Sequence, residues 1–207
     1  IDQLLGPKSA PTTDLVIDLH NTTSNMGPSL LLAQQGYFYT QLARYMKDKM
    51  PEVTVFRDED HKSREEHHLL NTVGKYGVLV EVGPIPQSVL KHQVTEEMEK
   101  MVHYILDFVE GFNREQLEFY DTPVEGFRFL ESLTLPVNDK GERLGMVNRH
   151  IEGNDYQPIS PGDPLFQTFD GETIYYEGDK VVYPAFINEA AYYDNNLAMS
   201  LMEKVLI

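Results

Sequence analysis

Asp18 and His20 are the first residues whose types and spacing could do chemistry. They lie in Leu15–His20, where apolar and polar residues alternate, so this segment is predicted to be a strand with both side chains on one face. The polar loop Asn21–Asn25 follows directly. Because ligands of open α/β sheets gather at the carboxyl ends of strands, chemistry is expected first at His20. A buried histidine hydrogen-bonded to Asp18 is the alternative that this stretch leaves open.

Glu81 lies where a charged residue is not expected. The run Val78–Val82 is otherwise apolar and predicts a central strand that is buried on both faces. An unpaired buried carboxylate is costly, so Glu81 either meets a cation or a metal, or carries a raised pKa. A structural salt bridge would explain it too. Its place near the end of the strand, just before Gly83 and Pro84, favours a general base.

Strands and helices alternate around these residues, which predicts an α/β fold. Thr95 is the predicted N-cap of the last helix and Gly111 its stop. The charged segment 57–70 is predicted to be a solvated loop or helix face, although its cations leave room for a loop that faces substrate. The predicted elements are a helix ending at residue 5, strands at 15–20, 29–33, 53–56 and 78–82, and helices at 37–50 and 94–112.

The second half of the chain has a different character. Residues 117–190 hold short apolar runs between closely spaced proline, glycine, asparagine and aspartate turns, which indicates a small β-rich domain. The tail from Asn195 to Ile207 is predicted to be a short helix. We therefore predict two domains, an α/β domain at 1–115 and a β-rich domain at 116–207.

Composition excludes several classes of protein. The formal charge of -16 over 207 residues disfavours nucleic acid and anionic membranes as partners, because both would repel the chain. There is no cysteine, so thiolate chemistry is excluded and a cytoplasmic location is expected. No apolar run is long enough for a membrane span. The chain starts at Ile1 without a methionine and is expected to be the remainder of a longer protein. Whether it forms a homo-oligomer is left open.

Four motifs resemble the aspartoacylase/aminoacylase-3 family in order and spacing. They are Asp18–Gly27, Glu81–Gln87, Ser160–Pro164 and Tyr183–Tyr193. The resemblance implies a zinc-carboxypeptidase-like mixed sheet with flanking helices, here incomplete at its N-terminus, followed by a smaller β-rich domain. It also implies zinc-dependent hydrolysis of the amide of N-acyl amino acids, such as N-acetyl-aspartate, to a carboxylate and a free amino acid.

The resemblance assigns roles by position. His20 would be a ligand of the one zinc per subunit, with Asp18 behind it, and Glu81 would be the general base that deprotonates the metal-bound water. Asn21 would lie near the site, Glu189 would be a structural partner of the site, and Tyr192 would reach toward the substrate. Tyr192 as a simple packing aromatic residue remains an alternative.

This sequence departs from the family pattern at the metal. The family's His-x-x-Glu pair of zinc ligands has no counterpart in the chain, and a catalytic zinc usually takes three protein ligands. His61 and Glu66–His68 are candidate substitutes. The chain alone is therefore expected to be inactive, with the activity in a full-length parent. A non-catalytic fragment or regulatory binding remnant is the alternative, and a carboxypeptidase-like enzyme acting on another amide or ester is the rival enzyme.

A second departure concerns the substrate. Asn71 stands where the family's aspartate-specific members have an arginine that binds the substrate carboxylate, and Ser132 lies near the place of a lysine. Arg64 or Lys75 could compensate as the cation. Asn71 and Arg64 therefore join Asn21 and Tyr192 as candidate substrate-binding residues. N-acyl aromatic and aliphatic amino acids remain open as substrates beside N-acetyl-aspartate.

Overall fold

The computed structural model describes residues 2–58, 62–118 and 121–207. Three α-helices are present in these residues: α1 (Asp2–Leu5), α2 (Tyr37–Lys49) and α3 (His92–Asn113). Short 3₁₀ helices cover Leu70–Val73 and Ala190–Asn195. The strands are β1 (Leu15–Asn21), β2 (Ser29–Leu32), β3 (Thr54–Arg57), β4 (Tyr76–Val82), β5 (Glu125–Thr134), β6 (Gly145–Val147), β7 (Pro164–Thr168), β8 (Thr173–Tyr175), β9 (Tyr183–Ala185) and β10 (Leu197–Leu206).

A seven-stranded mixed sheet organises the molecule, in the order β1-β4-β2-β3-β5-β10-β9. β1 and β4 run parallel, as do β2 with β3 and β3 with β5, whereas the other pairs are antiparallel. The predicted mixed α/β sheet with flanking helices is thereby confirmed. Because β1 and β4 are parallel, their carboxyl ends lie at the same edge, with His20 directly opposite Glu81.

The two faces of the sheet pack against different partners. Alternate residues of the central strands, such as Leu30, Val78 and Val80, face a core that also contains buried residues of α2 and α3. Their neighbours Leu31 and Leu79 face a separate core with residues of the second half of the chain. β4 is buried from Gly77 to Val82, as predicted for a central strand. Glu81 therefore points toward the second half, because it shares the face of Leu79.

The second half does not form a self-contained sheet. β6, β7 and β8 make a separate three-stranded sheet, whereas β5, β9 and β10 extend the large sheet of the first half. The large sheet thus contains strands from both sides of the predicted boundary at residue 115. No described helix is both long and apolar enough to span a bilayer.

The predicted helix at the C-terminus is wrong. Residues 190–195 form a 3₁₀ helix that ends at Asn196 in the left-handed conformation, and β10 follows as a ten-residue strand. Leucine, alanine, methionine, glutamate and lysine in this tail favour a helix by propensity, but pairing with β5 over its whole length prevails. The predicted N-cap of α3 is also wrong, since the helix starts at His92 and Thr95 lies within it.

Candidate functional site

A cavity of about 220 Å³ lies at the carboxyl ends of β1 and β4. Its polar residues come from four strands and the two loops that approach them, and its walls are mostly apolar. The residues that line it are His20, Leu31, Asp58, Leu69, Leu79, Glu81, Phe129, Ser132, Phe186, Tyr192, Leu197 and Ser200. Three of the predicted site residues, His20, Glu81 and Tyr192, are therefore brought together in one cavity.

His20 and Asp18 lie on one face of β1, as the alternation predicts. Nε2 of His20 lies 3.2 Å from Oδ1 of Asp18, and the His20 side chain is 49% exposed. The alternative of a buried histidine is therefore wrong. A carboxylate behind one ring nitrogen orients the imidazole and leaves the other nitrogen available, an arrangement common among metal-binding histidines.

Glu81 is the most strongly perturbed acid of the cavity. Its side chain is only 4% exposed, and Oε1 has no hydrogen-bond partner among the described residues. Burial raises the pKa of Glu81 to about 8, with smaller contributions from the negative charges of Glu189 and Asp18. A salt bridge would lower this pKa, so the structural salt bridge considered for Glu81 is not what the described residues form.

Tyr192 closes the cavity from the second half of the chain. It lies in the 3₁₀ helix Ala190–Asn195, and its ring packs edge-on against Phe186 with the centroids 5.6 Å apart. Burial raises the pKa of Tyr192 to about 12, and the carboxylates of Glu81 and Asp58 act in the same direction. The hydroxyl therefore stays protonated at neutral pH and can donate a hydrogen bond into the cavity.

Glu189 does not line the cavity but binds the loop that follows His20. Its Oε2 accepts hydrogen bonds from the Thr22 hydroxyl and from the Thr23 backbone N–H at 2.7 Å. Its Oε1 accepts the N–H of Ala191 at 3.0 Å, which caps the 3₁₀ helix. Burial alone would raise the pKa of Glu189, but these hydrogen bonds prevail and the pKa is lowered. This geometry supports a structural role for the Glu189 carboxylate, in its ionised form.

The remaining predicted substrate-binding residues lie away from the cavity. Asn21 ends β1 and alternates with His20, so it belongs to the other face. Nη2 of Arg64 donates to the Lys75 carbonyl at 2.7 Å, just before β4 begins, whereas Glu81 is near the end of that strand. Lys75 is bonded to Asp14. The structure therefore does not bring Arg64 or Lys75 to the cavity.

Asn71 is buried and does not line the cavity. It is 1% exposed, and neither atom of its side-chain amide has a hydrogen-bond partner among the described residues. Its backbone packs so closely on Gly77 that any side chain at Gly77 would collide with it.

Several cavity residues were not found from the sequence. Phe129, Leu197 and Phe186 supply apolar walls, and Ser200 of β10 pairs directly with Ser132 of β5, which the sequence placed only near the position of a lysine. The cavity residues of β5 and β10 are 65 to 71 positions apart in the chain, and the alternation within one strand does not show which distant strand it pairs with. Only Phe186 lies within one of the motifs that carry the resemblance.

The described residues do not by themselves fit a catalytic zinc. No group of three or more His, Asp or Glu residues suited to holding a metal ion occurs among residues 2–58, 62–118 and 121–207. His20 offers one ligand where three are usual. Of the candidate substitutes, His61 lies outside the described residues, His67 is buried, and Oε2 of Glu66 accepts the Ser63 N–H at 2.7 Å.

Comparison with known proteins covers nearly the whole chain. Residues 1–109 match the succinylglutamate desuccinylase/aspartoacylase catalytic domain, and residues 122–204 match the AstE/AspA barrel-sandwich hybrid domain. A probable aspartoacylase from Nostoc sp. is 40% identical over 204 residues, which cover 99% of this chain and 68% of that protein.

Two animal proteins match the chain at a similar level of sequence identity. The human N-acyl-aromatic-L-amino acid amidohydrolase (carboxylate-forming) is 39% identical over 206 residues, covering 99% of this chain and 64% of that protein. The crystal structure of murine aminoacylase 3 matches with a TM-score of 0.92 at 36% identity, covering 100% of this chain and 68% of that one. The resemblance inferred from the four motifs is confirmed: the chain belongs to the succinylglutamate desuccinylase/aspartoacylase family of amidohydrolases.

Proposed function

We propose that this chain carries the catalytic acid–base group of an enzyme that hydrolyses the amide bond of N-acyl amino acids to a carboxylate and a free amino acid. One observation carries the proposal: a buried carboxyl group with a raised pKa lies in a cavity beside His20 and Tyr192. Amide hydrolysis needs a group that takes a proton from the attacking water and returns it to the departing nitrogen. The names of the relatives support this choice of reaction.

Glu81 is assigned that proton transfer. In its ionised form it accepts a proton from the water as the oxygen attacks the amide carbon, and the protonated form then donates to the leaving amine. A pKa near the operating pH suits both steps. Tyr192, which remains protonated, can donate a hydrogen bond to the substrate oxygen where negative charge develops.

Zinc remains part of the proposal, with His20 as one ligand. The other protein ligands would have to come from outside the described residues of this chain. Asp18 orients His20 in either case, because it contacts the ring nitrogen directly.

The cavity favours a neutral amino-acid side chain over an acidic one. Its walls are mostly aliphatic and aromatic, its charged acids are Glu81 and Asp58, and no lysine or arginine is among the described residues that line it. An acidic side chain would be repelled without a cation to oppose it. We therefore infer N-acyl aromatic or aliphatic amino acids as better substrates of this cavity than N-acetyl-aspartate.

A non-catalytic binding role is the second candidate, because the described residues lack a complete metal site. Replacing Glu81 separates the two. In the longest polypeptide that the gene encodes, Glu81→Gln should lower kcat for N-acetyl-tyrosine by about two orders of magnitude or more, while KM changes little and the protein remains folded. An unchanged kcat would reduce Glu81 to a structural residue. A wild type without any hydrolysis that still binds N-acetyl-tyrosine would favour the binding role.

A further inference from the structure

The loop that follows His20 is held mainly by the second half of the chain. We call Thr22–Asn25 the junction loop and Phe186–Tyr192 the Tyr192 segment. Besides the bonds to Glu189, the Ser24 hydroxyl donates to the Ile187 carbonyl at 2.9 Å. The Ala190 N–H donates to the Thr23 hydroxyl at 3.0 Å. The two stretches are far apart in sequence and directly bonded in space.

Asp155 is a third partner at this contact, and it bonds to both stretches at once. Its Oδ2 accepts the backbone N–H of Asn25 at 3.0 Å, and its Oδ1 accepts the backbone N–H of Ile187 at 3.2 Å. The side chain is 6% exposed. The Asn25 side chain also donates to the Gly153 carbonyl at 2.7 Å. One buried carboxylate therefore fixes the spacing between the junction loop and the Tyr192 segment.

Asp155 is itself fixed by its neighbour Tyr156. The Tyr156 N–H donates to the Pro184 carbonyl at 2.7 Å, and its hydroxyl lies 2.9 Å from Oγ of Ser29 in β2. Its ring stacks on Phe127 with the centroids 5.1 Å apart. Tyr156 therefore holds the neighbouring Asp155 carboxylate against the large sheet, through its contacts with β2 and β5.

The Tyr192 segment needs such support because its backbone is unfavourable. Phe186 and Asn188 have φ angles of 55° and 56°, in the left-handed region that side chains other than glycine disfavour. Ile187 lies between them, and both its N–H and its carbonyl are held from outside, by Asp155 and Ser24. Together with the Asn188 N–H, which donates to the Ala198 carbonyl at 3.0 Å, these bonds hold the segment in this conformation.

We propose that Asp155 is a positioning residue: by joining the junction loop to the Tyr192 segment, it holds Tyr192 in the cavity that Glu81 lines. Asp155 does not line that cavity, and it acts through Ile187 and the five residues that lead from it to Tyr192. The proposal concerns where Tyr192 lies and does not depend on the proposed hydrolysis.

The test replaces Asp155 and observes Tyr192. Asp155→Asn keeps the shape of the side chain but turns one acceptor oxygen into an NH₂ group, which faces a backbone N–H and cannot bond to it. The protein is labelled with 3-fluorotyrosine, and the ¹⁹F resonance of Tyr192 is assigned by its loss in Tyr192→Phe. We expect Asp155→Asn to shift or broaden this resonance.

Asp163→Asn is the matched control. Oδ2 of Asp163 accepts the Ser160 N–H at 2.7 Å within a turn of the second half, and it bonds none of the described residues of the first half. It should leave the Tyr192 resonance unchanged. An unchanged resonance in a folded Asp155→Asn protein, even one of lowered thermal stability, would overturn the proposal.

If Asp155→Asn does not fold, hydrogen exchange in the wild-type protein tests the proposal. Because one carboxylate holds both amides, the N–H groups of Asn25 and Ile187 should exchange with deuterium through one common opening, with equal protection at every denaturant concentration. The protection of the Ser160 N–H against exchange should differ from that of the other two. Unequal protection of Asn25 and Ile187 would show that Asp155 does not couple the two stretches, and it would also overturn the proposal.

Discussion

At the residue scale, Glu81 combines burial, an Oε1 atom without a hydrogen-bond partner in the described part of the chain, and two nearby carboxylates. Its pKa is about 8 in the folded chain and ordinary in the unfolded chain, so the folded state binds its proton more tightly. The stability that this proton contributes is present below about pH 4 and is lost as the pH rises through about 8.

Glu81→Gln should therefore stabilise this chain at high pH. The neutral amide avoids the cost of a buried charge, which at about 1.4 kcal/mol per pH unit amounts to as much as about 5 kcal/mol by pH 9. At pH 4 the two proteins should unfold alike. Urea unfolding at both pH values measures the difference. Greater stability of the wild type at pH 9 would mean that Glu81 meets a cation.

Ser132 offers a residue-scale test of the substrate side chain. Ser132→Lys places a cation at the cavity, and a charge-assisted hydrogen bond contributes about 1.5–3 kcal/mol against about 1 kcal/mol for a neutral one. The catalytic efficiency for N-acetyl-aspartate relative to N-acetyl-tyrosine should rise roughly tenfold. Thr134→Lys, which adds the same charge two residues along β5 and outside the cavity lining, should change the ratio little. A wild type that already prefers the aspartate substrate strongly would contradict the inferred specificity.

At the element scale, β10 joins the two halves of the molecule. It pairs with β5 on one side and with β9 on the other, and it brings Leu197 and Ser200 to the cavity. Its inward residues complete two separate cores, with Leu201 in one and Met202 in the other.

Two leucines of β10 should respond very differently to truncation. Leu201 is fully buried, so Leu201→Ala should lower the free energy of unfolding by about 2–5 kcal/mol. Leu206 is 68% exposed, and Leu206→Ala should change it by less than about 0.5 kcal/mol. Chemical denaturation of both variants gives the comparison. Similar losses at the two positions would be incompatible with a strand that is buried at Leu201 and exposed at Leu206.

At the scale of the whole molecule, the question is how much zinc the chain can bind. The resemblance to the family implies zinc, but His20 supplies one protein ligand at the cavity. After dialysis, the 207-residue chain should retain well under about 0.1 zinc per chain, since His20 alone is a weak site. The longest polypeptide that the gene encodes should retain about one, and His20→Ala should remove it there. Metal analysis decides this. Tight stoichiometric zinc on the 207-residue chain would show that the ligand assignment is wrong.

The sequence by itself determined most of the local elements and two of the residues that line the candidate site, His20 and Glu81. The strand ending after His20, the buried strand carrying Glu81 and helices α2 and α3 all follow from alternation and helical spacing, because these patterns depend on which face is buried. Because it is a carboxylate within an apolar run, Glu81 could be singled out without knowledge of the residues that surround it in space. The four motifs were sufficient to identify the family.

Only the tertiary structure decided what surrounds these residues. β10 is a strand because β5 and β9 are available to pair with it. The helix propensity of the tail does not depend on whether such partners exist, so it could not predict this strand. Arg64 and Glu81 are 17 positions apart in the chain, yet Arg64 is bonded next to the start of β4 and Glu81 lies near its end. The bonds of Asp155 join backbone N–H groups 130 and 32 residues away. Such long-range contacts depend on the path of the chain in three dimensions, and a local sequence pattern contains no information about that path.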